Sequence, residues 1–461
     1  VHFDLAIVGS GGAGFAAAIA AATRGLRVVM VERATIGGTC VNVGCIPSKA
    51  LLAAAEARHV ASDARFPGIS TCAEATDMVA LADGKAQLVA AMRKEKYEDL
   101  AAGYGWELRR GEARFVPGPA LEVGGERVEA DHYLVATGAS PWVPPVPGLA
   151  EAGYLTSTSA LELDHLPASL IVVGGNYVGL ELGQLFARLG AQVTLVEALP
   201  RLAPGEEPEI SEAIAGVLAD EGVTVRTSAP LESVARHGPG VEAKLAGGGV
   251  AFADELLMAT GRRPNTAGLG LESVGAEVGP GGEVVVDRQL RSTNPRIWAA
   301  GDVTGAPQFV YVAAAQGATM VGNAFFGAER ELSYEHLPRV TFTSPTIASV
   351  GLTDAQAAQA GLSCTCSVLP LKYVPRAVVN RDIRGLVKVV AEARSRRVVG
   401  VHMLADGAGD MVLAATYALQ AGMSTDQLAT TWCPYLTMAE GIKLAAQSFS
   451  TDVAKLSCCA A

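Results

Sequence analysis

The stretch FDLAIVGSGGAGFAAAIAAATRGLRVVMVE, residues 3–32, decides the fold. Phe3 to Val8 is a short apolar run, the pattern of a strand buried on both faces. Gly9-Ser-Gly11-Gly12-Ala-Gly14 follows, then an alanine-rich helical stretch to about Thr23. Arg27 to Val31 is a second strand that ends on Glu32, eighteen residues after Gly14. Strand, glycine turn, helix, strand and terminal acid form the context in which G-x-G-x-x-G predicts a dinucleotide site. The glycines let backbone N–H groups meet a pyrophosphate at a helix N-terminus. Glu32 is placed to accept hydrogen bonds from a ribose.

The pattern recurs in SLIVVGGNYVGLELGQLFARLGAQVTLVE, residues 169–197. Ser169 to Val173 reads as a strand, Gly174 to Gly179 as a turn, and a helix runs to about Leu189. Gln192 to Val196 is the second strand, ending on Glu197. Asn176 stands where the fingerprint has its middle glycine, which weakens this signal taken alone; the duplication supports it. Two nucleotide sites in one chain suggest a flavin and a nicotinamide, which need face-to-face positioning for hydride transfer. The near-identical strand ends Ala136-Thr137-Gly138 and Ala259-Thr260-Gly261 mark crossings between domains. Four prolines between Pro141 and Pro147 read as a linker. Beyond about Glu331, strand-like runs (Thr346 to Val350, Leu386 to Val390, Val398 to Met403) precede helix-like runs (Met411 to Ala421, Ala439 to Ala446). The expected fold class is α/β: two Rossmann-like dinucleotide-binding domains plus a C-terminal α+β domain. The boundaries expected are 1–148, 149–262, a central segment 263–330, and 331–461.

With 461 residues, half of them hydrophobic and 18% charged, the chain has ample material for buried cores, which excludes a disordered chain. Lys plus Arg is 36 against 47 for Asp plus Glu, a net charge of −11, so no nucleic-acid partner is expected. Leu5 to Thr23 and Val303 to Ala328 carry no charge. Glycines break the first, and Pro307, Gln308, Gln316 and Asn323 break the second, so no membrane insertion is expected. No basic segment precedes the first stretch, so a secretory signal is not expected and a cytoplasmic location is. The eight cysteines then point to redox or metal chemistry rather than a disulfide framework.

The segment GGTCVNVGCIPSK, residues 37–49, carries the chemistry. Cys40 and Cys45 lie five apart, just after the first dinucleotide unit. Pro47 is placed to begin a helix. Cys45 would then sit near a helix N-terminus with Lys49 one turn on, and both features favour a thiolate. A thiol of low pKa beside a flavin is the arrangement for passing two electrons to a disulfide.

This segment resembles the active-site signature of the FAD-dependent pyridine nucleotide-disulfide oxidoreductases (class I), and the resemblance extends over essentially the whole chain. It implies a homodimer whose active sites are completed by the partner's C-terminal domain, with FAD in the first domain and the central segment and NADPH or NADH in the second. It implies that Cys40 is the interchange thiol and Cys45 the charge-transfer thiol, with Lys49 near the reactive flavin nitrogen and paired with Glu181. Asp302 would bind the flavin ribityl chain, and Tyr177 would gate the nicotinamide pocket. The cofactor-binding set it implies is Gly9, Gly11, Gly12, Gly14, Glu32, Gly38, Thr39, Lys49, Thr137, Gly138, Gly174, Gly179, Glu197, Gly261, Asp302 and Val310.

The dithiol-reducing members carry His-Pro-x-x-x-Glu near the C-terminus, where the histidine serves as acid-base. Here the aligned stretch runs from Tyr435 to Glu440: tyrosine replaces the histidine and Glu440 remains. A phenol of pKa ~10 is a poor proton shuttle at neutral pH. It can lie against a metal held by thiolates. The tail, Lys455 to Ala461, carries Cys458 and Cys459, vicinal thiols of the kind that select soft metals. Tyr435 together with this tail is similar to the mercuric-reductase branch of the family. That implies Hg(II) as substrate, met by Cys40, Cys45, Tyr435, Cys458 and Cys459 and delivered by cellular thiols. A lipoamide- or glutathione-type disulfide reductase is the alternative within the class. A non-catalytic flavin-bearing metal-binding or redox-sensing protein is the alternative outside it. Cys72, Cys364 and Cys366 are expected to be structural, with Cys364 and Cys366 alternating on a strand; Cys433 stands two residues before Tyr435.

Overall fold

The computed structural model describes residues 2–457. Its first unit is built on the parallel strands Glu107–Arg110, Val28–Glu32, His2–Val8 and Glu126–Val135, in that spatial order. Ile7 stands opposite Met30 on one side and Leu134 on the other, and all three are fully buried, which is why these runs are apolar without alternation. Strand Ile297–Ala299 adds to the same sheet beside Glu126–Val135, so the chain returns to its first unit after passing through a second. Helix Gly12–Ala22 packs against helix Val310–Phe326.

The second unit repeats the theme with parallel strands Thr224–Arg226, Gln192–Val196, Ser169–Val173 and Glu255–Met258. A three-stranded antiparallel meander, Leu231–His237, Gly240–Leu245 and Gly249–Ala253, lies against it. The two Ala-Thr-Gly crossings sit side by side: Ala139–Pro141 pairs antiparallel with Arg262–Pro264.

The two glycine turns explain the departure at Asn176. A Cβ on Gly14 would stand 2.3 Å from the Gly9 carbonyl oxygen, and one on Gly179 would stand 1.7 Å from that of Gly174. These closing glycines let helix and strand touch. The middle position has no such demand: Gly11 (φ −79°) and Asn176 (φ −104°) are both extended backbone that any residue adopts.

The third unit is an antiparallel sheet ordered Arg339–Thr341, Thr346–Gly351, Val398–Ala405, Leu386–Glu392, Cys364–Pro370. Helices Ala408–Gln420 and Glu440–Gln447 bury one face of it through Met411, Ala415, Leu419 and Leu444. Buried ion pairs tie it to the second unit. Lys388 reaches Glu207 and Glu209 at 2.9 Å, and the Arg188 guanidinium holds Glu221 at 2.6 Å, Glu56 of the first unit and the Ser344 carbonyl. Among the described residues no helix is long and apolar enough to cross a membrane.

Candidate active site

Cys40 lies in the short helix Gly38–Val43, and Cys45 opens helix Cys45–Ser62. That helix starts two residues before Pro47, whose missing N–H costs nothing in a first turn. Cys45 is therefore itself the first helical residue, at the end where the macrodipole favours a thiolate. The dithiol segment seats directly on the nucleotide turn. Gly38 adopts φ +64°, and a Cβ there would stand 2.5 Å from the Gly11 Cα.

Both thiols are free and meet each other. The hydrogen bond from Cys40 brings the Cys45 thiol down to about 7; burial opposes this, and Lys49 assists it. Cys40 moves the other way, well above the ordinary thiol range, because it holds the shared proton beside a thiolate and is itself buried. The reduced dithiol thus carries its charge on Cys45.

Lys49 Nζ donates to Glu181 Oε2 at 2.7 Å, joining the dithiol helix to helix Tyr177–Leu189 of the second unit. The other Glu181 oxygen accepts from the Phe342 N–H at 3.0 Å, and Lys49 Nζ stands 4.4 Å from the centre of the Phe342 ring. All three units therefore meet at this ion pair. They also line a cavity of about 270 Å³ reaching Glu56, Gln184 and Arg188.

The terminal acids of both glycine units fold back on their turns. Glu32 accepts from Ser10 N–H and from Ser10 Oγ–H at 3.1 and 2.6 Å, and from Ala34 N–H at 2.7 Å. Glu197 accepts from Gly175 N–H at 2.6 Å and Leu199 N–H at 2.7 Å. Helices Gly12–Ala22 and Tyr177–Leu189 begin without any side-chain cap, so their first N–H groups face outward from the turns as a pyrophosphate cradle requires. The residues present fit an FAD in the first unit and a nicotinamide dinucleotide in the second.

Asp302 lies 3.7 Å from Arg262; burial raises its carboxyl while Arg262 opposes the shift. Thr137 Oγ donates to the Asn265 carbonyl at 2.7 Å, and Asn265 returns a bond to the Thr137 carbonyl at 2.9 Å. Val310 opens its helix and reaches Gly12, its Cγ2 within 3.2 Å of where a Cβ would stand. Tyr177 is half-buried at the start of its helix, and burial, then Glu206, raises its phenol.

Tyr435 lies 49% exposed on the loop before helix Glu440–Gln447. Glu440 is buried and accepts from the Leu436 N–H at 2.7 Å, holding the turn in which Leu436 takes φ +60°. Its place is thus that of a loop brace. Cys458 and Cys459 lie outside the described residues.

Sequence reasoning missed Ser10, Tyr97, Arg262, Asn265 and Phe342. Tyr97, its phenol raised by burial and by the two thiols, stacks edge-on against Phe15. Arg262 and Asn265 follow directly on the second Ala-Thr-Gly crossing, a signal that was available; Phe342 has none.

Residues 3–317 match the family described as pyridine nucleotide-disulphide oxidoreductase, and residues 337–446 match its dimerisation domain. A mercuric reductase of Streptomyces lividans is 59% identical over 467 residues, covering 99% of this chain and 98% of that one. One from Bacillus cereus is 48% identical, covering 99% of this chain and 73% of its own. Among solved structures, the Cu(II) complex of the HOCl-induced flavoprotein disulfide reductase RclA from Escherichia coli superposes with a TM-score of 0.89. It is 30% identical and covers 98% of this chain and all of that one.

Proposed function

The chain belongs to the pyridine nucleotide-disulphide oxidoreductases, and from that membership we propose that it is a mercuric ion reductase, turning Hg(II) into Hg(0) at the expense of NAD(P)H. The observation that carries this reading is full-length likeness to mercuric reductases joined to an asymmetric dithiol, Cys40 and Cys45, whose charge rests on Cys45. Bound FAD supplies the two-electron relay between nicotinamide and thiols.

The chain's own residues do the rest. The uncapped helix starts after Gly11 and Asn176 receive the two pyrophosphates. Gly9, Gly12, Gly14, Gly38, Thr39, Thr137, Gly138, Gly261, Val310 and Asp302 shape the flavin site, and Gly174, Gly179 and Glu197 the nicotinamide site. Residues 1–148 and 263–330 form the flavin domain, 149–262 the nicotinamide domain and 331–461 the dimerisation domain. Tyr177 covers the nicotinamide pocket. Lys49, held by Glu181, keeps a positive charge beside the thiols and favours the Cys45 thiolate. Cys40 and Cys45 take Hg(II) by thiolate exchange, a soft ligand pair for a soft cation. Tyr435 sits on the outward loop of the dimerisation domain, where it serves the partner subunit's site in a homodimer. The tail thiols Cys458 and Cys459 take Hg(II) from cellular thiols in the cytoplasm and hand it on.

Glu197 is occupied by its own loop, yet its carboxylate still repels a 2′-phosphate. Arg201 donates to the Pro204 carbonyl at 2.7 Å, and among the described residues its buried Nη1 finds no hydrogen-bond partner, which leaves a donor for a phosphate. Comparing kcat/KM for NADH and NADPH in wild type and Arg201→Ala weighs the two groups.

The deciding experiment is NAD(P)H oxidation that depends on Hg(II) in excess thiol. Turnover with Hg(II) supports the reading. Turnover with dihydrolipoamide and none with Hg(II) puts the chain among the dithiol reductases, and stoichiometric Hg(II) binding without NAD(P)H oxidation makes it a binding protein.

A further inference from the structure

Two cysteines that the reduction does not use stand together on the outermost strand of the dimerisation domain. Among the described residues, strand Cys364–Pro370 pairs with Leu386–Glu392 and with no strand on its other side. Cys364 and Cys366 are two residues apart in it, so their side chains leave the same face. Ser367 and Leu369 turn inward on the opposite face and are buried. Cys366 is exposed, and Cys364 is half-buried against the small cluster of Ala357, Val390 and Val399. Both thiols are free.

The spacing selects what such a pair can hold. Two strand residues advance the chain by about 6.6 Å. A disulfide needs Cβ atoms about 3.8 Å apart, so the two sulfurs cannot join each other without breaking the strand. A cation held linearly between two thiolates needs more room. Two metal–thiolate bonds of about 2.3 Å, taking zinc as the scale, put the sulfurs about 4.6 Å apart. The two carbon–sulfur arms close the remaining distance to the strand repeat. Among the described residues no group of three or more His, Cys, Asp or Glu is arranged around a metal, so a cation here has two strong ligands. Thiolate ligands and a coordination number of two suit soft cations.

We propose that Cys364 and Cys366 form a second, non-reducing site for a soft, linearly coordinating cation, with Hg(II) the member of that class the protein meets. Acidic Asp354 and Glu392 stand near the pair, and Lys388 opposes them at Cys366. Burial and then Asp354 push the Cys366 thiol up to about 12, and burial, Asp354 and Glu392 raise Cys364. The exchange balances: one Hg(II) bound by two small thiolates passes to the two protein sulfurs, and the two protons they release leave with the two small thiols. The choice of Hg(II) rests on the proposed function, whereas the pair itself rests on strand geometry, so loss of reduction without loss of the retained equivalent would count against that reading and not against the site.

The test counts Hg(II) retained by the FAD-loaded enzyme after dialysis against excess monothiol, without NAD(P)H. The wild type should retain one more Hg(II) per chain than Cys364→Ser/Cys366→Ser. Each single serine variant should lose that same equivalent, because one thiolate cannot outcompete the monothiol in solution. Cys366→Ser combined with Thr365→Cys keeps the cysteine count but moves one sulfur to the other face, and it too should lose the equivalent. Reduction of Hg(II) halide should be unchanged in all of these variants, which shows that they are folded. Equal retention by the wild type and the double serine variant would overturn the site. So would retention by the Thr365→Cys swap, or a disulfide between Cys364 and Cys366 in the air-exposed enzyme.

Discussion

At the residue scale, the central question is why two chemically identical thiols five residues apart behave differently. The largest influence on Cys45 is the hydrogen bond from Cys40, ahead of Lys49. The thiolate is present above about pH 7 and is lost as pH falls through that value. The long-wavelength charge-transfer band of the flavin should therefore titrate near pH 7 in Cys40→Ser, which keeps a donor. In Cys40→Ala, with the donor gone and burial unopposed by it, the midpoint should move upward. Cys45→Ser should lack the band at every pH. Equal midpoints for Cys40→Ser and Cys40→Ala would show that Lys49 and the helix terminus, not Cys40, hold the charge. Tyr435 poses the second question. Tyr435→Phe removes only the hydroxyl. If that oxygen touches the thiolate-bound metal, kcat for Hg(II) should fall by about tenfold or more, the scale of a lost contact to a charged centre. FAD content and reduction by NAD(P)H should stay unchanged. Equal turnover across pH would leave the phenol as packing alone.

At the scale of elements, the duplicated glycine units were legible because each demand has a steric cause. Only glycine fits where Gly179 meets the Gly174 carbonyl, whereas Asn176 sits in ordinary extended backbone. Gly179→Ala should raise KM for the nucleotide by about tenfold or more, one hydrogen bond or clash of about 1.4 kcal/mol being worth that factor. Asn176→Gly, measured in the same assay, should change it little. A wild-type KM in Gly179→Ala would mean that helix and strand can separate freely there. Other elements were not legible. The meander over residues 231–253 consists of short strands joined by glycine-rich turns, and such alternation reads equally as loop until a neighbouring sheet buries it. Strand Arg339–Thr341 is three residues long and exists through its pairing with Thr346–Gly351. Phe342 follows it, and its place above Lys49 depends on that pairing, which no local pattern announces.

At the scale of the whole molecule, the three units are joined through charge as much as through apolar contact. Lys388 with Glu207 and Glu209 fixes the dimerisation domain to the second unit, and Arg188 with Glu56 fixes the helix beside the dithiol to it. One chain holds Cys40, Cys45, Lys49 and Glu181 together, and in the proposed reading Tyr435 serves the partner's site. A site divided in this way needs a second copy, and the dimerisation domain supplies the means of bringing one. The division can be tested by mixing two inactive partners. One subunit carries Tyr435→Phe, Cys458→Ala and Cys459→Ala; the other carries Cys40→Ala and Cys45→Ala. Each homodimer should fail with Hg(II) presented as a glutathione complex, the first for want of delivery and the second for want of reducing thiols. In the heterodimer, the first subunit's intact thiols face the second subunit's intact Tyr435 and tail. One working site of two should restore roughly half of the wild-type rate per dimer, as two-fold symmetry requires. If Tyr435 and the tail serve their own chain instead, no pairing of these subunits contains a complete site, and the mixture should stay as inactive as its parents.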